Sequence, residues 1–401
     1  MRDFIYYTPT KVFFGRGREN EIGKICDDYG YQRVFIVYGG QSAVKSGLIE
    51  RVEKSLDEAG IVVDKAGGVQ PNPIISKTRE IIRQANIFNP DLILAVGGGS
   101  VIDTAKTVGY GVAMPGIDVW EYFSKKAKIT KSVPIAAILT IAAAGSEMSD
   151  SCVQTNMELD PPVKCGTNSE FNRCKFAILN PELTFTLPKF QIGSGVADIF
   201  FHTADRYFTT DAITGNHMSD EIAEGLMRNI IRYGLKGVAD PTDYEAMSEI
   251  MWASTISHND LTGLGTNPNG GRGGDWAPHQ LGQAMSALYD ATHGASMTAV
   301  WAAWARYCMD ANVARFARYG RNVWGYIGDD ETVALEAIEA TDDWFRELGQ
   351  PTNMTELLGF DVTDTIIKKI ASNCSRGNTR TIGQLKVLNE EDMINIYKMA
   401  R

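Results

Sequence analysis

The sequence predicts a two-part protein: an open α/β domain with a parallel, Rossmann-like sheet over residues 1–190, and an all-α domain over residues 191–401. Three observations lead there. Short, nearly continuous β-branched runs recur only in the first half, helical periodicities separate them, and long amphipathic stretches replace them after Gln191. Apolar strands without polar alternation fit a parallel sheet covered on both faces, because a sheet with one wet face would alternate.

Along the chain, the strands fall at Arg33–Tyr38, Ile61–Asp64, Asp91–Val96, Val133–Leu139 and Phe176–Leu179. Val12-Phe13-Phe14 reads as an edge strand, paired either within the chain or across a two-fold. Apolar residues three and four apart place helices in the intervals, notably Ser46–Ala59 and Ser76–Ala85. In the second half, helices are expected over Gly195–Thr209, Asp220–Leu235, Tyr244–Asn259, Ala295–Asp310, Glu331–Leu348 and Glu390–Ala400. Thr262–Gly274 is too rich in glycine for a helix interior and is expected as a loop, either a plain connector or a flexible segment near a site.

Length and charge exclude several classes. At about 150 residues per domain, 401 residues suffice for two or three domains with a large core. Lys plus Arg number 39 against 49 Asp plus Glu, a formal charge of −10, and no long basic run occurs, so nucleic acid is not the expected partner. The six cysteines show no C-x-x-C pair, which argues against a zinc ribbon or a disulfide framework. The start, Met1 to Tyr7, lacks an apolar core behind a basic cap, so the chain is expected in the cytoplasm. Its longest apolar runs fall far short of the roughly 20 residues of a membrane helix.

Glycines stand where strands meet helices. Gly97-Gly98-Gly99-Ser100 runs from an apolar strand into a helix containing Asp103, where backbone N–H groups can approach a pyrophosphate and feel the helix dipole. Alone the turn is weak evidence, since it lacks the spacing of G-x-G-x-x-G. A second turn, Gly39-Gly40-Gln41-Ser42 with Lys45, follows the Arg33–Tyr38 strand and holds no acidic residue to accept a ribose 2′-hydroxyl. It suits a 2′-phosphate, hence NADP rather than NAD, or is simply a tight turn with one solvated lysine. A third small-residue turn, Thr140 to Glu147, ends another apolar strand.

Three of five histidines stand at metal-ligand spacing. Asp198 and His202 share a helix face at i, i+4. By itself such a pair is more often a buried hydrogen-bonded couple than a pair of ligands. On one straight helix His279 and His293 would lie about 21 Å apart, so both can serve one ion only if the helix ends near Tyr289 and the chain turns back through Asp290–Gly294. One carboxylate and three imidazoles suit Fe(II) or Zn(II) and poorly suit Mg(II) or Ca(II). With a position left open, the ion can polarise a substrate oxygen.

The order Gly-Gly-Gly-Ser-Val-Ile-Asp-x-x-Lys, a Gly-Ser-Glu turn, Asp-x-x-x-His and His-x13-His-Gly resembles the iron-containing, or group III, alcohol dehydrogenases, most of all their NADPH-dependent butanol dehydrogenase and aldehyde reductase branch. The resemblance runs over nearly the whole chain. It implies a dehydroquinate synthase-like architecture with a dinucleotide domain, a helical domain and a divalent ion between them. It implies Asp198, His202, His279 and His293 as metal ligands, and Gly98, Gly99 and Ser100 at the pyrophosphate with Asp103 nearby. It also implies Thr140 and Lys164 on the nicotinamide side, and a homodimer.

Two positions depart from the family pattern. Ala144 replaces a threonine before Gly145-Ser146-Glu147, and Gln283, near the substrate, replaces a histidine four residues after the third ligand. The resemblance implies hydride transfer between NADP(H) and a short-chain primary alcohol or aldehyde, without a covalent protein nucleophile. Trp276, Met148 and Phe201 would favour an apolar substrate tail unless they are core. The alternatives are a non-catalytic NADP sensor, suggested by the two departures, and a dehydroquinate synthase-like lyase. The lyase would need basic residues to hold an anionic substrate, whereas the motifs near this site are apolar.

Overall fold

The computed structural model describes residues 3–209, 216–266 and 273–401. The chain groups into two compact units, Thr8–Thr186 and Leu187–Arg401, the latter joined by residues ahead of Thr8. The boundary lies just before a helix that starts at Lys189 with Pro188 at its N-cap.

Six strands form one sheet in the first unit: β1 (Lys11–Phe14), β2 (Arg33–Tyr38), β3 (Val62–Ala66), β4 (Leu92–Gly97), β5 (Ile135–Leu139) and, after a separate hairpin, β8 (Phe176–Leu179). Every pairing is parallel, in the order β1-β8-β5-β4-β2-β3. The central strands are buried along their length, as their unalternating apolar runs demand. β1 pairs within the chain on one side, Val12 opposite Ala177 and Phe14 opposite Leu179, and is the sheet's edge strand on the other. The hairpin β6 (Ser151–Asn156) and β7 (Val163–Asn168) is antiparallel. It escaped the sequence reading because polar residues such as Gln154, Thr155 and Lys164 interrupt its apolar pattern.

This strand order has a functional consequence. The chain leaves β2 toward β3 and leaves β4 toward β5, so the connections part in opposite directions between adjacent strands. Tyr38 pairs with Val96 and Gly97 with Leu139, so the turns after β2, β4 and β5 leave one edge of the sheet side by side. Open α/β folds bind ligands at such a switch point.

The second unit is built of helices, of which the longest are Lys189–Tyr207, His217–Ala239, Tyr244–Ser257, Ala277–Tyr289, His293–Cys308 and Asp330–Glu347. Phe200 sits at their centre, edge-on to Trp301, Trp344 and Phe345. Phe201 stacks on Phe345 and is fully buried, so it is core and not a substrate wall. The helix carrying His279 ends at Tyr289, where Asp290 takes a left-handed φ of 53° and its N–H donates to the Ser286 carbonyl. The Ser286 hydroxyl bonds the Ala291 carbonyl at 2.9 Å, and a new helix starts at His293. No described helix is long and apolar enough to cross a membrane. Of the glycine-rich Thr262–Gly274 segment, residues 267–272 lie outside the described residues.

Candidate functional site

Asp198 and His202 lie one turn apart on the buried face of the Lys189–Tyr207 helix, and the turn at Asp290–Thr292 returns His293 to the same place as His279. The close approach depends on Gly294, because a Cβ there would fall 2.0 Å from the Ser194 carbonyl oxygen. One ligand atom from each of Asp198, His279 and His293 lies within 4.8 Å of the others. His202 stands beside this group. The Asp198 Oδ1 atom is 3.3 Å from His202 Nδ1, 3.8 Å from His279 Nε2 and 3.7 Å from His293 Nε2.

Further residues orient these groups. The His279 Nδ1–H donates to Asp205 Oδ2 at 2.6 Å, which fixes the tautomer and leaves the Nε2 lone pair facing Asp198. That Nε2 atom is buried and has no hydrogen-bond partner among the described residues. A buried nitrogen acceptor facing a carboxylate calls for a cation or a proton to offset desolvation, and an oxygen with three imidazoles is a fitting donor set for Fe(II) or Zn(II). Burial, then the neighbouring His258 and His279, hold His202 well below the ordinary histidine range, so it is neutral and able to ligate.

The sequence reading missed Asp205 and His258. Asp205 had a signal: with Asp198 and His202 it completes an i, i+4, i+7 face. His258 had none, being a lone histidine at a helix end that only the fold brings against His202. Asp275 is a structural carboxylate. It accepts from the backbone N–H groups of Ala277, Gln384 and Leu385, and burial followed by the charge of Asp205 raises it to about 7.

In the α/β unit, the helix following β4 begins at Gly99 with Gly98 at its N-cap, and no side chain caps it. A Cβ on Gly98 would lie 3.0 Å from Ile141, and one on Gly99 3.1 Å from Ala144, so these glycines also let the third turn lie against the first. A Cβ on Gly97 would strike Val101 at 2.5 Å. Thr140 donates its N–H to the Gly97 carbonyl. Asp103 is more committed than the resemblance implied: its carboxylate accepts from the Ser146 hydroxyl at 2.6 Å and the Val153 N–H at 2.9 Å. The buried Lys106 ammonium lies 3.9 Å from Asp103 and bonds the Ser146 hydroxyl and the Ser149 and Ser151 carbonyls. These contacts hold the Ala144–Glu147 turn in place. Lys164 Nζ donates to Asn72 Oδ1 at 2.7 Å. Gly40, Gln41, Ser42 and Lys45 are exposed after β2, and Gly39 is half-buried.

Known proteins match both units. The family model described as iron-containing alcohol dehydrogenase matches residues 9–181, and that for the C-terminal part of the same family matches residues 192–401. The chain is 39% identical over 404 residues to the NADH-dependent butanol dehydrogenase A of Clostridium acetobutylicum, with 100% of each covered. It is 31% identical over 407 residues to the NADPH-dependent aldehyde reductase YqhD of Escherichia coli, again with 100% of each covered. The crystal structure of the NADH-dependent butanol dehydrogenase A of Thermotoga maritima superposes with a TM-score of 0.93 at 35% identity, covering 100% of this chain and 99% of that one. With the ligand order, the fold and both family matches in agreement, the chain belongs to the iron-containing alcohol dehydrogenase family, in its butanol dehydrogenase branch.

Proposed function

We propose that this oxidoreductase interconverts short-chain aldehydes and primary alcohols with NADP(H), aldehyde reduction being its working direction. The carrying observation is the convergence of a nitrogen from each of His202, His279 and His293 on Oδ1 of Asp198. In this reading those four residues hold one Fe(II) or Zn(II). When bound, the ion supplies Lewis-acid polarisation of a carbonyl oxygen and the dinucleotide supplies the hydride.

The chain's own residues bind and orient. Asp205 keeps the His279 lone pair directed inward. Gly97, Gly98, Gly99 and Ser100 bring backbone close to the pyrophosphate, while Asp103 holds the neighbouring turn and Thr140 and Lys164 stand on the nicotinamide side. Half-buried Gln283 lies one helical turn beyond His279 and does not titrate, so the proton reaches the product oxygen from water or a ribose hydroxyl. Replacing His279 by Ala is expected to abolish turnover and leave nucleotide binding intact; full activity in that variant would remove the metal assignment.

The NADP preference is supported by the turn after β2, where Gly39, Gly40, Gln41, Ser42 and Lys45 offer N–H groups, a hydroxyl and a positive charge but no carboxylate. A preference for NADH is the second reading, favoured by the name of the 39% identical relative. The ratio of kcat/KM for NADPH over NADH with butanal separates them: a value of about ten or more supports the first, and a value below one overturns it. A cytoplasmic homodimer completes the proposal, and the outer edge of β1, the sheet's terminal strand, supports the dimer.

A further inference from the structure

We infer that His258 is a positioning residue for the metal centre, holding the plane of the His202 imidazole by stacking on it. The inference rests on the reading of Asp198, His202, His279 and His293 as ligands.

The rings of His279 and His202 are held differently. His279 is pinned through Nδ1 by the Asp205 carboxylate. The Nδ1 of His202 makes no hydrogen bond among the described residues and faces the Asp198 carboxylate, 3.3 Å away and itself read as a ligand, so no partner at that nitrogen outside the ligand set fixes its ring rotation. Rotation about the bond joining an imidazole to its Cβ is soft, and a misrotated ring points its lone pair away from an ion. The missing constraint is supplied by faces. The His258 ring lies 4.0 Å from that of His202, centroid to centroid, with the planes 29° apart. The Trp276 ring approaches His202 at 6.2 Å, steeply inclined, and also borders His258 at 6.1 Å and His279 at 5.1 Å.

The backbones carrying the stacked pair are tied together. Arg206 Nη1 donates to the His202 carbonyl at 2.6 Å and to the carbonyl of Ser257, the residue before His258, at 3.0 Å. The same guanidinium sits 4.7 Å from the centre of the Trp276 ring. One buried cation thus sets the separation of the two helices that present the rings. The stack also separates the roles of the two histidines. Lone pairs on an imidazole lie in its plane, and that of His258 is offset by about the stacking distance from that of His202, so His258 faces the ligand ring and does not join it on the ion.

The test is anaerobic titration of the metal-free protein with Co(II), followed through the visible absorption of the bound ion, for wild type, His258→Ala, His258→Leu and His258→Phe. Thermal melts of the metal-free variants check folding. We expect Ala and Leu to weaken Co(II) about tenfold or more and to alter the absorption band, as loss of an orienting partner does. Phe, which keeps a stacking face, should restore affinity to within about threefold. Leu is the control for volume and stands in should Ala fail to fold. Wild-type affinity and spectrum in Ala and Leu, or a Phe variant as weak as they are, would overturn the inference. His279→Ala is run alongside. If it binds Co(II) as well as wild type, the ligand reading itself fails; if it does not and His258→Ala does, only the role of His258 falls.

Discussion

Oδ2 of Asp205 stands 2.6 Å from Nδ1 of His279, both groups buried, and that contact decides which face of the imidazole is left for an ion. The carboxylate is itself raised by burial and lowered again by the imidazole beside it. Replacing Asp205 by Asn keeps the shape but permits the opposite tautomer. Metal affinity, read by competition with a chelator, should fall about 10–100-fold. An unchanged affinity would mean that His279 is oriented by other contacts.

Gly294 tests the packing that brings His293 home. A methyl group there meets the Ser194 carbonyl at 2.0 Å, and backbone cannot step aside as a side chain does. Gly294→Ala should lower stability by about 2–3 kcal/mol in denaturant unfolding and weaken metal binding together with it. Loss of stability with full metal affinity would show that the two helices can separate without moving His293 from Asp198.

Lys106 is a fully buried cation of the α/β unit, held by Ser146, Ser149, Ser151 and the nearby Asp103. Lys106→Met leaves a carboxylate and two carbonyls without it. A destabilisation of about 3–5 kcal/mol is expected, measured by chemical denaturation. Since these groups anchor the third glycine turn, nucleotide affinity should fall as well.

Asp342 gives a pH signature that does not involve the proposed ligands. Burial raises its carboxyl to about 6, partly countered by Arg346 and Arg306. The folded state therefore holds this proton more tightly than the unfolded chain. Its unfavourable contribution is absent below about pH 4, grows as the pH rises toward 6 and is complete above it. Asp342→Asn should match wild type at low pH and gain on it by about 1–2 kcal/mol between pH 4 and 7, after allowance for solvent screening. A constant difference across that range would contradict the assignment.

Much of this arrangement is legible in the residues themselves. β2 and β8 fall at the ends that their apolar runs mark, because strands buried on both faces carry no other grammar. The break after Tyr289 follows from distance once His279 and His293 are read as sharing one ion, since two histidines 14 positions apart reach it only around a turn. The β6–β7 hairpin is not legible: its polar residues find partners such as Thr78, Thr107 and Asn72 that only the fold supplies. His258 is silent for the same reason, as its stacking on His202 joins residues 56 positions apart on different helices.

The most direct measurement is NADPH oxidation with butanal by protein stripped of metal under argon and reloaded separately with Fe(II) and Zn(II), with His279→Ala carried in parallel. The account predicts no turnover in the stripped enzyme, recovery with at least one of the ions, and none in the variant with either. Full activity after stripping, or in the variant, would contradict it.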